Sequence, residues 1–142
     1  MKKLLYVIVV CCLYTSCKKE KEKDYRDAWC GYYDLTMTEY KGVGPLGGLF
    51  MTTFSPGDVY YDKSKPEDEL ILKINDGGGK KIVFKLTDKE GNFVETKDGE
   101  NYEKGYITSG GVLFYEKQIV GTRSFSKYTI DGKYNDSPVE FN

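Results

Sequence analysis

A single all-β domain is what this chain predicts: an antiparallel up-and-down barrel, or a strongly curled meander, of about eight strands. Three observations carry the prediction. Strand-favouring residues are abundant, with 13 Tyr and 7 Phe among 142 residues, many Val, Ile and Thr, and few long helix-forming runs. Turn-forming clusters punctuate the chain at Pro56-Gly57-Asp58, Asn75-Asp76-Gly77-Gly78-Gly79, Glu90-Gly91-Asn92, Asp98-Gly99, Gly110-Gly111 and Asp131-Gly132. Between the clusters, apolar and polar residues alternate with the period of a strand that buries one face.

The first element is a leader. Lys2 and Lys3 precede an apolar run over residues 4–14, then comes Ser16, then Cys17 and the charged string KKEKEKD. The run is too short for a permanent span, which needs ~20 residues, and the lysines hold its start on the cytoplasmic side. A peptidase cutting before Cys17 finds the small residue it needs in Ser16, whereas Cys11 and Cys12 follow Val10 and Cys11. The segment resembles the lipobox of bacterial lipoproteins, with Tyr14 standing where that family usually has leucine. The charged string after the cysteine is similar to that of Bacteroidetes lipoproteins displayed on the outer membrane surface. The resemblance implies removal of residues 1–16, acylation of Cys17 and anchorage in the outer membrane facing the cell exterior, with the periplasmic face as the alternative. Residues 17–25 are expected to be a solvated tether, and residues 26–142 the β domain.

Processing of this kind changes the cysteine arithmetic. Cys11 and Cys12 leave with the leader and Cys17 takes lipid, so Cys30 stands alone and no internal disulfide is available. The chain contains no histidine. That closes Cys-His and Ser-His-Asp catalysis and imidazole zinc sites. Cys30 is expected to be a small buried hydrophobe. Carboxylates such as Glu67, Asp68 and Glu69 fall in loop-like sequence, where solvated charge is the default, so no catalytic residue, metal or cofactor is assigned. The formal net charge is −1, and loss of Lys2 and Lys3 with the leader makes it −1 − 2 = −3. A mildly acidic chain of mixed charge is not a nucleic-acid binder.

Within the domain the strands are read in order. Residues 31–39 place Tyr33, Leu35 and Met37 on one face, with Asp34, Thr36 and Thr38 opposite. The glycine-rich residues 42–48 lack a following Lys-Ser/Thr and predict a flexible loop at a barrel mouth. Residues 69–75 and 81–87 form a hairpin with Leu70, Leu72, Ile74 and Ile82, Phe84, Leu86 on its buried face, joined by Asp76-Gly77-Gly78-Gly79-Lys80. A second hairpin sets Lys85 against Phe93 and turns at Lys89-Glu90-Gly91. A third spans residues 106–117, and the last pairs 112–119 with 123–131. Asp88, Glu90 and Asn92, like Asp131, Asn135 and Asp136, lack EF-hand spacing and are expected to shape turns.

The opening Trp29-Cys30-Gly31-Tyr32-Tyr33 and the closing residues 110–134 resemble those of small lipocalin-like barrels in Bacteroidetes lipoproteins, although Trp29 precedes the glycine instead of following it. The resemblance implies a non-enzymatic binding module for a small hydrophobic or glycan ligand. Trp29, Tyr33, Phe84, Phe114 and Tyr128 are the candidate ligand residues. Trp29 has a second reading as a plug for one barrel end, and the tyrosines as barrel filling instead of a stacking surface. A protein–protein role, as an inhibitor, immunity protein or accessory of a surface complex, is the alternative function.

Overall fold

The computed structural model describes residues 23–43 and 48–136. Cys17, Ser16, the leader and most of the tether lie outside the described residues, as do Pro45 and Pro138. The described residues form one eight-stranded antiparallel sheet, strongly curled, in the order β4-β3-β2-β1-β8-β7-β6-β5. The strands are β1 (Gly31–Val43), β2 (Gly48–Tyr60), β3 (Glu69–Ile74), β4 (Lys81–Lys85), β5 (Thr96–Asp98), β6 (Asn101–Ile107), β7 (Val112–Val120) and β8 (Ser124–Tyr134). Each strand follows its chain neighbour, and β8 returns to pair with β1 from Tyr33↔Tyr134 to Val43↔Ser124.

The sheet edges meet at one end. Leu86 bridges Phe93 and Asn92 bridges Tyr106, so the segment after β4 is stitched to β6. The Phe93 amide donates to the Gly105 carbonyl at 3.0 Å, and the Ile107 amide to the Gly91 carbonyl at 2.8 Å. Gly91 is needed here, because its φ is +93° and a Cβ would run into the Ile107 carbonyl. The hairpin between Lys85 and Phe93 therefore exists as a short stitch, not as two full strands. Asp88 shapes its turn by accepting from the amides of Glu90 at 2.9 Å and Asn92 at 3.2 Å, bonds that together with the Asn92 side chain lower its pKa.

Alternation along the strands builds the core. Leu35, Leu70, Leu72, Ile74, Ile107, Leu113 and Ile130 are each at most 2% exposed, and removal of each such side chain from water stabilises the fold by ~1.5–3 kcal/mol. Phe84 stacks on Phe93 with centroids 4.2 Å apart and tilts against Tyr115 at 5.3 Å. Two glycine clusters that read as turns are instead strand interiors. At Gly57 a Cβ would sit 2.5 Å from Leu35 Cδ1, and at Gly132 3.0 Å from Leu35 Cδ2. Both glycines make room for leucines that cross the curled interior. Their neighbours Pro56 and Asp58 lie in β2 with them, and Asp131 lies in β8.

A 3₁₀ turn, Tyr25–Ala28, closes the stitched end. Asp24 caps it by accepting from the Arg26 amide at 3.0 Å, so Asp24 and Tyr25 belong to the folded domain and not to the tether. Arg26 is 2% exposed yet satisfied. Its guanidinium donates to Asp24 Oδ2 at 2.7 Å and to the Pro66 and Glu69 carbonyls at 3.0 and 3.3 Å, and lies 4.1 Å from the Tyr61 ring centre. The Asp24 carboxyl is held below the usual range by its bonds from Arg26. Trp29 is 3% exposed, packs edge-on against Tyr25 at 5.6 Å, and accepts on its carbonyl from the Tyr33 hydroxyl at 3.0 Å.

Candidate functional site

The interior differs from one end to the other. At the sealed end it is filled by the side chains just described. Toward the mouth, Met37 and Tyr128 face each other, the Tyr128 hydroxyl 3.2 Å from the Met37 sulfur. Lys80 folds inward from the β3–β4 turn, its ammonium 4.3 Å from the Tyr128 ring centre. Lys117 donates to Glu103 at 3.0 Å nearby. Burial first, and then a hydrogen bond to Glu103, raise the Tyr115 phenol well above its ordinary value. The space left between Met37, Glu39, Met51, Asp76, Lys80 and Tyr128 is about 190 Å³, below the ~300 Å³ at which small-molecule sites begin.

A larger concavity lies on the outside. Tyr32 and Asp34 project from β1 opposite the buried Tyr33 and Leu35, and Phe54 and Pro56 project from β2 on the same face. Where β3 leaves the edge of β2, Asn75 and Asp76 rise beside them, because the Asn75 amide donates to the Pro56 carbonyl at 2.9 Å. These residues, with Thr53, Ser55 and Asn135, enclose a groove of about 680 Å³. Tyr32 is 49% exposed and Phe54 76%. The polar rim is ordered by two carboxylate–amide pairs, Asn135 Nδ2 to Asp34 Oδ2 and Asn75 Nδ2 to Asp58 Oδ2, each 3.0 Å. A carboxylate accepting one such bond keeps lone pairs for further donors.

The five residues singled out from the sequence do not converge. Trp29, Tyr33 and Phe84 are core side chains, with Trp29 in its plug role, although Tyr33 also borders the outer groove. Tyr128 stands at the mouth. Phe114 points to the outer face, away from Leu113 and Tyr115, and stacks on Tyr106 with centroids 5.6 Å apart. Tyr32 and Asp34 were available from the alternation of β1, as the face opposite Tyr33 and Leu35. Phe54 was not, because residues 48–60 lacked a clean alternation and contained Pro56-Gly57.

Cys30 is half-buried, its thiol 3.3 Å from the Arg26 carbonyl. Burial, reinforced by Asp27, pushes its pKa up to about 11, so it is a protonated thiol at neutral pH. Comparison with family models, with curated proteins and with solved structures finds no match to this chain.

Proposed function

We propose that the protein is a lipid-anchored binding module that holds a glycan in the outer groove of β1 and β2. The observation that carries this reading is the groove of about 680 Å³, within the ~300–1,000 Å³ of small-molecule sites, with rings on its walls and carboxylates and amides on its rim. A sugar presents both matching chemistries. Its C–H face stacks on the Tyr32 and Phe54 rings, and its hydroxyls donate to Asp34 and Asp76. A purely apolar ligand would cover those carboxylates without replacing their water, which is costly.

The test is titration of the purified protein against a panel of neutral and amino sugars and their oligomers. A saturable ligand is expected, and Tyr32→Ala and Phe54→Ala are each expected to weaken it about tenfold or more with the unfolding midpoint nearly unchanged. Absence of binding across the panel, with an apolar fluorescent probe taken up instead, overturns the glycan reading. The anchor is tested separately, by Cys17→Ser. That change is expected to release the protein from the membrane fraction, since several acyl chains on one cysteine hold stably where one does not. Retention of the variant at wild-type level overturns the anchor.

A further inference from the structure

We propose that the free edge of β2 over residues 48–55 pairs with the same edge of a second copy, around a two-fold axis at Thr52. Among the described residues the sheet has three places where an edge stands open, and two are protected. β4 carries Lys81 and Lys85, and β5 is three exposed residues, Thr-Lys-Asp. Charge and brevity are the usual defences of an edge. The β2 edge has neither. β3 pairs with β2 only from Gly57 to Tyr60, so among the described residues the preceding part of β2 is paired with β1 alone. Residues 49–55 read Leu-Phe-Met-Thr-Thr-Phe-Ser, without a charge, and Leu49, Phe50, Met51 and Phe54 are 61, 65, 50 and 76% exposed. The β3–β4 turn leaves them exposed, its Lys80 reaching to the Tyr128 ring instead.

The backbone fixes which groups face out. The Pro56 carbonyl accepts from Asn75, on the side away from β1, and in an antiparallel ladder the bonding direction alternates by residue. Phe50, Thr52 and Phe54 therefore turn their N–H and C=O groups toward the open side. Pro56 has no N–H to offer there, which ends the template.

The occupant follows from this pattern. Antiparallel self-pairing centred on Thr52 sets Thr52 against Thr52, Phe50 against Phe54, Met51 against Thr53 and Leu49 against Ser55, each pair on a common face. The outward-facing groups of Phe50, Thr52 and Phe54 then exchange roughly six backbone hydrogen bonds. Both Phe50–Phe54 pairs become cross-strand aromatic contacts, and no like charges meet. A charged extended peptide would find no counter-charge on the segment. The chain enters the domain at Asp24, beside the sealed end, while this edge lies toward the mouth. A two-fold contact of this kind is closed, so it stops at a dimer. One strand from each copy makes a small interface, which places the association in the weak, transient class.

The test is sedimentation equilibrium of the purified protein over a concentration series into the high-micromolar range. A concentration-dependent dimer is expected. Thr52 is on the outer face of β2, and Thr52→Lys and Thr52→Glu are each expected to weaken the dimer at least about tenfold by placing like charges on the axis. An equimolar mixture of the two variants is expected to restore it, an outcome that misfolded variants would not produce. A wild type that stays monomeric, a dimer indifferent to Thr52→Lys, or assembly beyond the dimer overturns the proposal. Thr52 does not line the groove, although Phe54 belongs to both surfaces; glycan binding is therefore titrated at protein concentrations where the chain is monomeric, and loss of self-association and loss of glycan binding are then read independently.

Discussion

The two halves of β2 share one strand and one neighbour, yet they have opposite environments. From Gly57 to Tyr60 the strand is paired with β1 and β3, and Gly57 and Val59 are buried, Gly57 against Leu35 and Leu72. Over residues 48–54 it is paired, among the described residues, with β1 alone, and every residue is exposed. Backbone conformation and apolar content do not separate the halves. What separates them is whether a third strand lies alongside. The protected half belongs to the packed, stitched end of the curled sheet, and the unprotected half runs toward its mouth. Burial is therefore concentrated where β3 lies alongside β2, and exposed apolar surface where it does not.

The comparison is broken most directly by truncating one leucine or methionine at each end. Leu72→Ala, at a position with no exposure, is expected to lower stability by about 2–5 kcal/mol, and Met51→Ala by less than about 1 kcal/mol. Urea unfolding midpoints of the two variants measure the difference. Gly91→Ala attacks the stitch itself, by adding a Cβ against the Ile107 carbonyl at a positive φ. A loss of about 1–3 kcal/mol is expected, with hydrogen exchange accelerated first at the Phe93 and Ile107 amides.

Acid sharpens the comparison at the next level. Burial alone would raise the Glu116 carboxyl, but hydrogen bonds from Lys127 and from Tyr102, at 2.8 and 2.6 Å, outweigh it and the pKa is lowered. A depressed folded pKa stabilises the fold fully above the ordinary 4.5 and loses that contribution as pH falls through the folded value. The melting temperature of the wild type is expected to drop on acidification from pH 6 to pH 3, and that of Glu116→Gln to drop less. The smallest effect is expected at the free edge. Leu49→Thr should change stability by no more than about 0.5 kcal/mol while reducing exposed apolar surface.

Much of the fold could be read from the chain, and the misses share a cause. Tyr33, Leu35 and Met37, or Leu70, Leu72 and Ile74, declare their face by alternation, because the period of two is a local property. The hairpin through Asp76-Gly77-Gly78-Gly79 was equally local. Pro56-Gly57 and Asp131-Gly132 misled because glycine has two uses, turning a chain and admitting a side chain from across a barrel. Only the position of Leu35 distinguishes them. The candidate site was read less well. Aromatic residues were chosen as a class, and the structure divided them among core, mouth and outer face.

By itself, the sequence determined the all-β class, the buried faces of β1, β3, β4 and β8, the lack of histidine chemistry and the solitary state of Cys30 in the described domain. These depend on composition and on neighbours two residues apart. The tertiary structure alone decided that β3 leaves β2 at Gly57, that residues 91–94 stitch the sheet, and that Tyr32 and Phe54 flank one groove. Each of these depends on the register between strands distant in the chain, and register is set by how the whole core packs.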